Sequence, residues 1–151
     1  MVNGKAVTLN LQDPDSMTSD PFGDLLLDSQ GDSELILVRQ PGTENQTVLQ
    51  IPLSSPLGTP QLDDTIFIPP RDGLLLVADT PANTVYAIQR VQFVPGVAYS
   101  AGVGAPSNSA ANGVGFVGVL NPETGFLTPI ASGFQSPHGM AYIVNSGFDS
   151  E

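Results

Sequence analysis

Two carboxylates and the chain's single imidazole stand at the head of three similar segments. They are Asp15 in Pro14-Asp-Ser-Met17, Asp64 in Asp63-Asp-Thr-Ile66 and His138 in Pro137-His-Gly-Met140. Oxygen donors joined by one nitrogen make a hard-to-borderline set suited to Ca²⁺, Mg²⁺, Mn²⁺ or Zn²⁺, provided that the three meet. The competing role is turn chemistry, in which Asp and His at the head of a strand bond to nearby backbone groups. Asp63 adjoins Asp64, and strand neighbours point to opposite faces, so only one of the pair is expected beside Asp15 and His138. Alignment of the three segments favours Asp64.

Other chemistries find less support. His138 is the only base available to a Ser-His-Asp triad, but no serine sits in a Gly-x-Ser-x-Gly elbow and Ser136 reads as a turn residue, so no catalytic residue is assigned. Gly102-Val-Gly104 lacks the Lys and the following helix of a phosphate loop. Asp28, Asp32, Asp79 and Asn83 fall at the far ends of predicted strands, where Asx side chains stabilise tight turns. Asn45-Gln-Thr47 is a formal glycosylation sequon on a turn. Phe67, Tyr86, Phe116, Phe126 and Tyr142 lie within predicted strands and are expected in the core.

What must position these residues is a repeat. Pro14 to Asp28 and Asp63 to Asp79 share a polar opening, a β-prone stretch, a Gly-based turn and a Leu triplet that leads to an Asp. That layout predicts strand, turn, strand. The whole chain reads as all-β, built of four-stranded antiparallel meanders. A loosely alternating strand over 2–12 precedes a first unit over about 12–53. A second unit over 62–131 carries a Gly/Ala/Ser/Asn-rich loop insertion at 95–115, within which 97–101 has the makings of a short strand. An opening strand over 137–144 begins a third unit, and 145–151 reads as a polar tail.

Composition narrows the partners. The 151 residues include 14 Pro and 16 Gly, with no apolar face at helical spacing, which argues for short strands and tight turns. A formal charge of -11 with four Lys and Arg leaves no basic stripe for nucleic acid or an anionic membrane. An acidic surface instead concentrates cations at any cleft lined by carboxylates. The absence of Cys removes disulfides and thiolate sites. No apolar run approaches the roughly 18 residues of a membrane span. Residues 1–15 lack the layout of a signal peptide, so for the extracytoplasmic or secreted protein expected here an export signal would lie upstream.

Pro14-Asp-Ser-Met17, Leu74-Leu-Leu-Val-Ala-Asp-Thr80 with Asn83-Thr-Val-Tyr-Ala-Ile88, and Ser136-Pro-His-Gly-Met140 resemble blade segments of the six-bladed propellers of the senescence-marker-protein/gluconolactonase family and their NHL-repeat relatives. The resemblance spans about residues 12–144 and implies about three blades, half of a six-bladed ring, closed by a homodimer or by the missing blades of a longer chain. It implies a divalent metal at the channel mouth, calcium first and then zinc or manganese, with Asp15 matching a ligand position. The family's Glu and Asn ligands, from earlier blades, have no counterpart here, and Ser16 replaces the motif's Gly. Two functions are therefore expected. The first is a non-catalytic binding or scaffolding module whose acidic mouth takes a small molecule or protein. The alternative is a metal-dependent lactonase or ester hydrolase.

Overall fold

The computed structural model describes residues 6, 8–89, 92–105 and 114–145, and within them eleven strands and no helix. The first four strands are β1 (Pro14–Ser19), β2 (Leu25–Ser29), β3 (Glu34–Arg39) and β4 (Thr47–Pro52). They form an antiparallel meander, each strand paired with the next. Its first turn is fixed by Asp20, whose carboxylate accepts the N–H groups of Phe22 and Asp24 at 2.8 and 2.9 Å.

Seven strands follow: β5 (Thr59–Phe67), β6 (Gly73–Asp79), β7 (Thr84–Ile88), β8 (Ala98–Ala105), β9 (Val114–Asn121), β10 (Phe126–Phe134) and β11 (Pro137–Val144). They build a second sheet in the order β5-β8-β9-β10 and a third in the order β11-β6-β7, both antiparallel. The Asn121–Gly125 turn closes the expected β9–β10 hairpin. Gly125 is required there, since it sits at φ 68° and a Cβ would come within 2.3 Å of the Pro52 carbonyl.

The second copy of the repeat does not fold like the first. In the first copy the two strands pair as the β1–β2 hairpin, whereas β5 and β6 part company and join different sheets. Within the loop insertion expected at 95–115, the short strand at 97–101 is present and runs on to Ala105. The first half of the insertion thus supplies β8, a central strand of the second sheet, and the excursion from that sheet is β6–β7. The small residues that suggest a loop are needed for close packing. A Cβ on Gly102 would lie 2.2 Å from the Gln61 carbonyl of β5. Residues 106–113 of the expected loop lie outside the described residues.

Residues 8–12 do not form the strand expected over 2–12, the earlier part of which falls mostly outside the described residues. They run beside the turn after β2, where the Gln12 carbonyl accepts from Gly31 N–H and the Ser29 hydroxyl. Of the expected tail only Asn145 is described, its N–H bonded to the Asp72 carbonyl.

The three sheets stack face to face with the second in the middle. Leu26, Leu35, Leu37 and Ile51 of the first sheet meet Leu62, Phe116, Leu120 and Leu127 of the second. On its other face Tyr99, Ala101 and Val117 meet Leu75 and Val77 of the third. Each Leu buried this way contributes about 1.5–3 kcal/mol. Covering on both faces explains why β9 reads as a nearly unbroken apolar run. The stack places β5 between β1 and β11, so these three strands line one inner side of the molecule.

Candidate functional site

Each of the three inner strands breaks register once, at the same level. In β1 the break falls between Pro14 and Met17, in β5 between Leu62 and Asp64, and in β11 between Pro137 and Gly139. A bulge inserts one extra residue and re-aims the side chains around it at the cost of ladder hydrogen bonds. The residues in the breaks are Asp15 with Ser16, Asp63, and His138. All three strand-opening positions singled out from the sequence therefore sit on or beside a bulge.

The bulge in β5 also undoes the expectation that only one of Asp63 and Asp64 can serve this end. Asp63 turns to the first sheet, where it accepts from the Gln30 amide at 3.0 Å and shares a hydrogen bond with Asp15. Desolvation, and then the proton held against Asp15, push its carboxyl up to about 6, with the nearby His138 charge opposing. Asp64 reaches the third sheet and accepts the Met140 N–H at 2.6 Å. Its pKa is raised by burial, which outweighs that N–H bond and the Ser16 hydroxyl. Asp15 itself is exposed, so the pair opens to solvent.

Beneath them lies a residue that turn reasoning missed. Asp28 of β2 is 1% exposed. Its Oδ2 accepts from the Thr65 hydroxyl at 2.8 Å and the Ser16 hydroxyl at 3.2 Å, and Thr65 is bonded in turn to Ser100 of β8 at 2.8 Å. This chain of hydroxyls ties the first sheet to the second through a buried layer. Its Oδ1 is buried and has no hydrogen-bond partner among the described residues. Desolvation raises the Asp28 pKa to about 6 against the pull of the two hydroxyls, and the charges of Asp64 and Asp15 add to the rise. The signal available in sequence was the matching place of Asp28 and Asp79 in the two copies.

His138 is exposed, and its Nδ1 lies 2.7 Å from the Ser136 carbonyl. A carbonyl only accepts, so Nδ1 carries a proton, and in the neutral ring Nε2 is the acceptor. Asp32 and Asn83 fulfil the turn role expected of them, and Asp79 adds long-range bonds to the one it accepts from Ala82 N–H in its own turn. Asp79 accepts the N–H groups of Gln135 and Ser136 at 2.7 and 3.0 Å. Asp32 accepts from Gln12 N–H and the Ser29 hydroxyl, and Asn83 takes the left-handed φ of 50°.

The structure thus brings Asp15, Asp63, Asp64 and His138 to one end, over Asp28. Their arrangement is a close carboxyl pair, Asp15 with Asp63, beside an imidazole. Among the described residues no three His, Asp or Glu side chains are gathered as a ready metal-ligand set, and Asp64 and His138 are each engaged with the backbone. Compared with known proteins, the chain matches no family model, no curated protein and no solved structure. Clefts among the described residues lie elsewhere. One of about 390 Å³ sits at the opposite ends of β1 and β5 between Pro21, Phe67 and Pro95, one of about 350 Å³ lies between Arg71, Gln92 and Phe93, and one of about 260 Å³ lies beside Asp79 and Asn83. The acidic end is an open surface.

Proposed function

We propose that the chain is a non-catalytic binding or scaffolding module of propeller type, whose acidic end takes a cationic group of a small molecule or protein. In this reading the three sheets are blades, and β1, β5 and β11 are their inner strands. The observation that carries it is the bulge each inner strand makes at one level, with Asp15, Asp63 and His138 in or beside the break. Backbone pairing is given up at three separate places to present these side chains together, which core packing alone does not require. An ammonium or guanidinium group replaces the proton between Asp15 and Asp63 and relieves their repulsion.

A divalent ion is the second reading, favoured by the same carboxyl pair, since hard oxygen donors suit calcium first and zinc or manganese after it. Asp15 and Asp63 would hold it, with Asp64 or His138 joining after release from the backbone. Lactone or ester hydrolysis is the enzymatic extension of that reading.

The test is calorimetric titration of spermidine, Ca²⁺, Mn²⁺ and Zn²⁺ into the wild type and into Asp15→Asn/Asp63→Asn, alongside a lactone-hydrolysis assay. Expected are spermidine binding that strengthens from pH 5 to pH 7, as Asp63 gives up its proton, at least a tenfold loss in the variant, and no turnover. Equal binding by the variant would rule out the acidic end. Turnover that needs a metal and Asp15 would make the protein an enzyme.

A further inference from the structure

The third sheet has two unlike faces. Cross-strand partners share a face, so Leu75 and Val77 of β6 belong with Tyr142 and Met140 of β11, and these pack on the second sheet. The opposite face carries Leu74, Leu76, Val85, Ala87, Ala141 and Ile143, paired as Leu74 with Ile143 and Leu76 with both Ala87 and Ala141. It holds no charged or polar side chain at these positions, yet Val85 is 64% and Ile143 46% exposed. An apolar sheet face without a cover marks an interaction surface.

The other end of the stack offers a counterpart. The outer face of the first sheet presents Met17, 65% exposed, with Leu25, Leu27, Val38 and Val48 on the same side by register around an already buried Ile36, while Glu34 and Gln50 bond to each other at one end of that face. Within the chain, a face of the first sheet covers the second and the second covers the third. The next step in that series is a sheet of the first kind laid on the bare face of the third.

We infer that this cover is the first sheet of a second copy of the chain, and that two copies close on each other through both end faces. Size decides for closure over a single contact. A face of three strands by five to six residues, the length of the strands of the first sheet, measures about 14 by 18 Å. One such contact removes roughly 500 Å² in total, in the range of adventitious packing, whereas two remove roughly 1,000 Å², the size at which a specific interface begins. Two three-sheet stacks related by a twofold axis then place six inner strands around one channel, with an acidic end from each copy at its rim. The arrangement rests on the blade reading above, but not on ligand binding. The formal charge of -11 per copy opposes association, so added salt strengthens it.

Sedimentation velocity of the purified chain, from about 1 to 100 μM and with added NaCl, tests this. Expected is a discrete dimer that tightens with salt. Val85→Lys and Met17→Lys, each at an exposed site on a different end face, are both expected to weaken it at least tenfold with the circular dichroism spectrum retained. Phe22→Lys, at an exposed turn, is expected to leave it unchanged. A monomer throughout, or an open ladder of higher oligomers, would overturn the inference. So would a dimer that survives Met17→Lys, since the third sheet would then be pairing with itself. Loss of spermidine binding in Asp15→Asn/Asp63→Asn without loss of the dimer separates this inference from the ligand reading.

Discussion

Asp28 and Asp79 occupy the same place in two copies of one motif. Each ends the second strand of its copy after a Leu run, and each is 1% exposed. Their carboxyls nevertheless move in opposite directions. Asp79 lies below the usual carboxylate range although burial alone would raise it, because the backbone N–H groups of Ser136, Gln135 and Ala82 favour its charged form. Asp28 has two hydroxyls on one oxygen and, among the described residues, no partner on the other, so burial prevails and its pKa climbs to about 6. Burial sets the cost of a charge, and the donors within reach decide the sign of the shift. The motif is the same in sequence. The difference arises because the residues before β11 aim their N–H groups at Asp79, while Gln12, before β1, gives its N–H to Asp32.

The largest expected effect is at Asp79. Asp79→Ala removes the acceptor of at least two half-buried N–H bonds and is expected to cost roughly 2–4 kcal/mol in chemical denaturation, while Asp28→Ala, which keeps the bond between Thr65 and Ser100, costs less. Equal losses would mean that the two sites are held alike.

The pH profile comes next. A carboxyl raised in the folded state gives stability that is present below its unfolded pKa near 3.8 and is lost as pH climbs through about 6. For Asp28 that loss is on the order of 3 kcal/mol. Asp79 works the other way, supplying stability above about 3.8 that disappears as pH falls through its lowered value. Melting temperature is therefore expected to peak between these ranges and to fall towards neutrality, and Asp28→Asn is expected to remove the neutral-side fall.

Smaller is Thr65→Val, expected to cost about 1 kcal/mol at pH 8 and less at pH 5, where Asp28 is protonated and needs fewer donors. A pH-independent cost would place Thr65 outside the Asp28 network. Smallest is Asp15→Asn. With Asp15 exposed, relief of the Asp63 pair is expected to change stability by less than about 1 kcal/mol. A larger change would mean that the pair is a structural element rather than an open site.

How far these sites could be read in advance depended on whether the deciding partner was local. The meander of the first sheet was legible because each strand pairs with the next, and Glu34–Arg39 matches the expected span of β3. The β9–β10 hairpin was legible from its Asn-Pro-Glu-Thr-Gly turn. The fate of β6 was not. Its Leu run looks like that of β2, but its inner neighbour, β11, lies some sixty residues further on. Residues 97–101 were legible as a short strand, but the Gly and Ala beyond them signalled a loop, when small side chains are what let β8 pass close to β5. The bulges were hidden for a related reason, since register exists only relative to a partner strand. Strict alternation allows only one of Asp63 and Asp64 beside Asp15, and alignment favours Asp64, but the β5 bulge breaks the alternation, so both acidic residues reach that end.

The measurement that bears most directly on this account is a carboxyl ¹³C NMR titration of the Asp side chains in the wild type and in Asp15→Asn. The expected result is that Asp28 and Asp63 titrate near 6 and Asp79 below 3.8, and that Asp15→Asn pulls Asp63 down while Asp79 stays where it was. Ordinary titration of Asp63 near 4, unmoved by Asp15→Asn, would contradict the shared acidic end on which the proposed function stands.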